Sequence, residues 1–168
     1  ASGRADICRL LIEHGANVHE SVSGLTPLML AAKRGRTEIC RLLIEEHGVN
    51  VNAQDQEGAT ALMIACLKDH AETCKLLIEN KANIHHQNKN GSTALMWAAS
   101  KNSVNVCRLL IEQGADVNQT NNQGSTALLW TALDYTNAVD VARLLLEHNA
   151  DVNHKNNRNE TAWHRTTA

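Results

Sequence analysis

The chain has 168 residues, 43% apolar and 20% charged, with a net charge of −2. That length can bury a sizeable core, and the near-neutral balance points away from nucleic acid or an anionic membrane as partner. No stretch approaches the ~18 apolar residues of a membrane span, and no apolar run of the secretory-signal kind follows Ala1-Ser2-Gly3-Arg4.

In chain order, residues 1–23 carry Ile7-Cys8-Arg9-Leu10-Leu11-Ile12-Glu13, the apolar face of one helix. Gly24-Leu25-Thr26-Pro27 opens the next element. Thr is a good N-cap and Pro is pre-shaped for the first helical position, so a short helix A is predicted from about 27 to 33. Gly35 marks a turn. Helix B follows from about 38 to 46, with Ile39, Leu42 and Leu43 spaced along one face. Gly48 is expected to end it in a left-handed cap. Residues 50–58 are rich in turn formers and lead to the next cap.

The same order then recurs. Starts stand at Gly58-Ala59-Thr60-Ala61, Gly91-Ser92-Thr93-Ala94, Gly124-Ser125-Thr126-Ala127 and a degenerate Asn159-Glu160-Thr161-Ala162, in steps of 34, 33, 33 and 35 residues. The helix B motif keeps the same period at Ile39–Glu45, Thr73–Glu79, Val106–Glu112 and Val141–Glu147. Two motifs on one period divide a single domain, 1–168, into a partial repeat 1–23, repeats 24–57, 58–90, 91–123 and 124–158, and the start of another at 159–168. Helices this short do not persist alone, and each unit leaves an apolar flank that only a neighbour covers. The lack of Phe, with one Tyr and one Pro, suits thin layers built of Leu, Ile and Ala.

Gly-x-Thr-(Pro/Ala)-Leu-x-x-Ala followed by Leu-Leu-Ile-Glu-x-Gly-Ala-Asp-Val-Asn resembles the ankyrin repeat, most cleanly from Gly91 to Asn118, and the resemblance covers essentially the whole chain. It implies an all-α solenoid in which a β-hairpin-like turn and two antiparallel helices repeat in a curved, right-handed stack. A tetratricopeptide array has a similar period but lacks the capped start and the Gly-Ala-Asp-Val-Asn exit. Several positions depart from the family pattern. The family's His is replaced by Met29, Met63, Met96 and Leu129, so its turn-tying hydrogen bonds are expected to be missing there; only His164 keeps it. Lys81 and Asn149 stand where a cap Gly belongs, and Lys81 is expected to be strained. One extra residue falls near Glu46 and two near Tyr135-Thr136. Such scatter reads as a natural sequence. Half-repeats at both ends read as a fragment of a longer array, monomeric, with apolar surface exposed at each end and able to stack end to end.

No chemistry stands out. Cys8, Cys40, Cys74 and Cys107 share one helix B position, where a spacing of ~8–10 Å is too wide for a disulfide or a zinc site; they and Cys66 read as small buried apolar residues. An odd count of five, without a secretory signal, suggests reduced thiols and an intracellular site, cytoplasm or nucleus. His85-His86 is the one adjacent histidine pair and reads as surface. Glu13, Glu45, Glu79, Glu112 and Glu147 recur in every unit, whereas a catalytic group is needed once. The reading is therefore not an enzyme, with no catalytic residue, cofactor or metal.

Function is expected at positions that vary while the frame stays fixed: Val22, Ser23, Leu25, Lys33 and Arg34; Gln56, Glu57, Ala59, Leu67 and Lys68; Lys89, Asn90, Ser92, Ser100 and Lys101; Asn122, Gln123, Ser125, Leu133 and Asp134; Asn157, Arg158 and Glu160. The resemblance implies that these lie on a concave face where a protein partner docks. The set has six bases against three acids, which suits an acidic segment of that partner. Lys33, Arg34, Lys68 and Lys101 read either as a basic stripe or as a solvated face. Trp97 and Trp130, at equivalent positions, read as packing between repeats or as a paired hot spot, and Trp163 as a framework residue. The alternatives to a binding scaffold are an architectural spacer, or the targeting module of a larger enzyme whose catalytic part lies outside these residues.

Overall fold

The computed structural model describes residues 2–132 and 138–166. Among them the regular structure is helical: α1 (Ser2–Glu13), α2 (Pro27–Lys33), α3 (Thr37–Arg41), a π-helical segment (Leu42–Glu46), α4 (Ala61–Leu67), α5 (Ala71–Glu79), α6 (Ala94–Ala99), α7 (Val104–Glu112), α8 (Ala127–Thr131), α9 (Val139–Glu147) and α10 (Ala162–Thr166). The chain is an all-α repeat solenoid. Helices α2, α4, α6, α8 and α10 form one row and α1, α3, α5, α7 and α9 a second, each helix packing on its neighbours in the row.

The A row starts each time from a threonine. Thr26, Thr60 and Thr93 hold extended backbone, and their Oγ1 atoms accept from the amides of Met29, Met63 and Met96 at 3.2, 3.4 and 3.3 Å. The thioether of Met29 also lies 3.5 Å from the Thr26 amide, so the first unit recovers part of the tie expected to be lost with the family's His. His164 makes the full tie, its Nδ1 2.8 Å from Thr161 Oγ1. In α8 the cap fails: Thr126 Oγ1 is buried without a hydrogen-bond partner.

Small residues let the A row pack closely. Ala31, Ala32, Ala65, Ala98 and Ala99 are all buried, and one apolar cluster runs from Leu28 through Met63, Leu77, Met96 and Leu110 to Leu145 and Ala150. In the B row, Leu42, Leu43, Leu76, Leu77, Leu144 and Leu145 point inward, while Arg41, Lys75, Arg108 and Arg143 stay in solvent. Gly35, Asp69 and Asn102 turn the chain between helices in the left-handed region, with φ of 60, 57 and 54°. Gly48, Lys81, Gly114 and Asn149 do the same after helix B. Lys81, at φ 69°, thus carries the strain expected of a residue with a Cβ.

The extra residue near Glu46 does not loop out. It is taken up inside helix B as the π-helical segment, where wider hydrogen bonding accommodates one more residue while Leu42 and Leu43 keep their inward aim. The insertion at Tyr135-Thr136 lies outside the described residues. Apolar surface is exposed at both ends, as expected: Ile7, Leu10 and Leu11 on α1, and Val139, Leu146, Val152 and Trp163 at the other end.

Candidate interaction surface

The turns that precede each helix A project as fingertips, and an Asx residue, half-buried at Asp55 and buried at Asn88, Asn121 and Asn156, organises each from the second onward. Asp55 Oδ1 accepts from the amides of Glu57 and Ala59 at 2.9 and 2.8 Å. Asn88 does so for Asn90 and Ser92, Asn121 for Gln123 and Ser125, and Asn156 for Arg158 and Glu160, all at 2.9–3.1 Å. The side chain imitates a backbone turn and fixes the tip without a strand ladder. Only isolated bridges, Val22 with Leu25 and Gln54 with Thr60, form among the described residues. The first turn has Ser21 at the Asx position and is closed by the Val22–Leu25 bridge.

Successive tips are bonded to one another. The amides of Lys89, Asn122 and Asn157 donate to the carbonyls of Glu57, Asn90 and Gln123, each at 3.0 Å. Asn122 Nδ2 adds a bond to the Lys89 carbonyl at 2.9 Å, and Asn157 Nδ2 one to the Asn122 carbonyl at 3.1 Å. Behind the tips, His86 Nε2 meets the Gly58 carbonyl at 2.7 Å and His154 Nε2 the Gly124 carbonyl at 2.8 Å. His86 therefore ties its tip to the preceding one and is half-buried, not the free surface group its place in the sequence suggested. The tips are so close that a Cβ on Gly91 would lie 2.7 Å from the Asn122 amide nitrogen.

This closeness corrects part of the expected surface. Ala59, Ser92 and Ser125 are sealed between tips and are not available to a partner. Leu25 and Leu67 are half-buried, Leu25 against the core. The Asn122 and Asn157 side chains are committed to neighbouring carbonyls. Glu160 is held by Asn156 Nδ2 at 2.9 Å and Arg165 Nε at 3.2 Å, and these bonds, led by Asn156, keep its carboxyl below the usual range. Val22, Lys33, Arg34, Gln56, Glu57, Lys68, Lys89, Asn90, Lys101, Gln123 and Arg158 are exposed. Leu133 and Asp134 lie outside the described residues. Arg34, Lys68 and Lys101 hold the same position in three successive units, and exposed Asp69 adds an acid beside Lys68 that the count of bases omitted. Trp97 and Trp130 are half-buried against the core, which favours packing over a bare aromatic pair.

Cys40, Cys66, Cys74 and Cys107 are buried and Cys8 is half-buried. Desolvation pushes Cys40 and Cys107 up to about 12 and Cys66 well above its ordinary value. Cys66 on α4 and Cys74 on α5 bring their Sγ atoms to 3.5 Å, a contact within one unit that a comparison of helix B positions alone does not reveal. Among the described residues, no three His, Cys, Asp or Glu side chains gather as a metal site would require. Nor is any helix there long and apolar enough to cross a membrane.

A search of the curated proteins finds no match. The family model described as ankyrin repeats (3 copies) matches residues 1–88 and again 72–156. Capped helix A, inward-facing helix B and bonded fingertips are the parts of such a repeat, and with the family model aligned over most of its length this chain belongs to the ankyrin repeat family.

Proposed function

We propose that the chain is a non-catalytic scaffold that binds an extended, acidic segment of a protein partner across its fingertips and the C-terminal ends of helices A, the concave face of the stack. Ankyrin repeats generally mediate protein–protein contact, and the finer reading rests on this chain's own surface. One observation carries it: tips bonded from unit to unit at 3.0 Å keep Glu57, Lys89, Asn90 and Gln123 in a fixed row beside the exposed column Arg34, Lys68 and Lys101. A preorganised row spends little entropy on binding, and a column of one sign selects the opposite charge. The five unlinked cysteines suit a reducing, intracellular compartment.

Binding to a panel of extended Asp- and Glu-rich peptides, with Lys- and Arg-rich peptides as controls, tests the reading. Acidic peptides are expected to bind, more weakly as salt rises, and the fourfold reversal of Lys33, Arg34, Lys68 and Lys101 to Glu is expected to lower affinity at least ~10-fold with the helical signal unchanged. Equal binding of both peptide classes, or affinity indifferent to the reversal, overturns it.

A further inference from the structure

Arg34, Lys68 and Lys101 each stand eight residues after the threonine that opens their unit, just past the C-terminus of α2, α4 and α6. Lys68 and Lys101 belong to interior units with a neighbour on each side, so the stack itself sets their exposure. The A helices pack in sequence, α2 on α4 and α4 on α6, with Ala31, Ala32, Ala65, Ala98 and Ala99 buried. Helices packed in this way lie ~8–10 Å apart. The basic column takes that step from unit to unit, and the bonded tips hold it fixed.

Few peptide conformations present like side chains on one side at such a step. In a β-strand every second residue shares a face, which gives repeats of ~7 or ~13 Å, and a residue three places on points the other way. A polyproline II helix has three residues per turn and a rise of ~3.1 Å, so every third side chain returns to the same side after ~9 Å. An α-helix comes near the step only at every seventh residue, after ~10.5 Å.

Granted the acidic-segment reading, on which this depends, we infer that the partner segment binds as a polyproline II helix with an acidic side chain at every third residue, one carboxylate to each unit. The tips favour this form over an α-helix. An α-helix satisfies its own backbone, whereas a polyproline II chain leaves its carbonyls open. Exposed Asn90 and Gln123 share one tip position in successive units, and each side-chain amide brings a donor and an acceptor. They meet the open backbone while Lys68 and Lys101 take the carboxylates. Exposed Asp69, next to Lys68, repels an acid that falls out of register.

Titration of the 168-residue protein with four peptides of equal length tests this. Each carries three Glu in a neutral frame, at every second, third, fourth or seventh position. The every-third peptide is expected to bind tightest, by roughly 3- to 10-fold, because two further ion pairs form and an exposed pair contributes little by itself. Filling its gaps with Pro should tighten it again, since the chain is then set before it binds. Lys68→Ala and Lys101→Ala should each weaken the every-third peptide about 2- to 5-fold and the others less than about 2-fold. Four peptides that bind alike overturn the register and leave the acidic-segment reading standing. Tightest binding at every seventh position also overturns it, in favour of a helical partner. Should none of the acidic peptides bind, that reading fails and the register with it.

Discussion

Helices α1 and α7 are nearly the same peptide in two places. Ile7–Glu13 and Val106–Glu112 differ at one residue in seven. Yet Leu11 is 56% exposed while Leu110 is 0% exposed, and Cys8 is half-buried while Cys107 is sealed. The helix itself does not decide its burial; the unit beside it does. Stability in this stack accordingly belongs to the contacts between layers, and identical substitutions should differ in cost according to where the layer stands.

The widest divergence is expected at alkaline pH. Cys40 and Cys107 have folded values near 12 against an ordinary 9.0. Below pH 9 both folded and unfolded chains hold these protons, and stability is indifferent to them. Between about 9 and 12 the unfolded chain releases protons that the folded chain keeps, so stability falls as pH rises. The limiting slope is ~1.4 kcal/mol per pH unit for each thiol. Denaturant titrations from pH 8 to 11 should show this fall, and Cys107→Ala should flatten it by up to that slope. A pH dependence unchanged in Cys107→Ala would refute this reading.

Next in size is the core itself. Leu110→Ala should cost about 2–5 kcal/mol, since the space it leaves between layers cannot fully collapse. Leu11→Ala should stay within about 1 kcal/mol in urea unfolding of dilute protein, because much of its side chain already meets water.

The fingertips repeat the contrast on a smaller scale. Asn121→Ala removes the acceptor for the Gln123 and Ser125 amides and should cost about 1–3 kcal/mol. At the first tip the equivalent residue is Ser21, and Ser21→Asn should gain up to about 1 kcal/mol by supplying the missing tie. Hydrogen exchange at Ser23 and Leu25 would report that gain locally.

These pairs also show what could be read without coordinates. The capped starts of helix A were legible because Thr before Pro or Ala states both a cap and a first turn, and helix A of the first unit runs over the predicted residues. The extra residue by Glu46 was visible as a count, but a count does not distinguish a loop from a π-helical segment. Ala59, Ser92 and Ser125 vary between units and so resembled surface, yet they are sealed because the next tip lies against them. The turn formers of residues 50–58 were visible, but the place and burial of Asn88 and Asn121 in later tips come from the neighbouring unit. The Cys66–Cys74 contact depends on how α4 faces α5, which a separation of eight residues does not encode.

The smallest effect is backbone strain at one cap. Gly15, Gly48 and Gly114 end their helices with φ of 91, 60 and 92°, a region open to glycine at no steric cost. Lys81 does the same job at φ 69° with a Cβ in the way. Its unit holds it there: the amides of Lys81 and Ala82 close the helix end onto the carbonyls of Ile78 and Leu77, and Asn52 Nδ2 donates to the Lys81 carbonyl at 3.0 Å. All of these bonds use backbone atoms of residue 81 or lie beyond it, so Lys81→Gly should keep every one while removing a strain of ~1–2 kcal/mol. Glycine's greater freedom in the unfolded chain returns part of that, leaving a net gain of about 1 kcal/mol. Gly114→Lys, the reverse exchange one unit along, should lose a similar amount. Paired urea titrations of the two variants would settle the matter: a loss in both would mean that the Lys81 side chain itself supports the cap, and that these turns are not governed by backbone geometry alone.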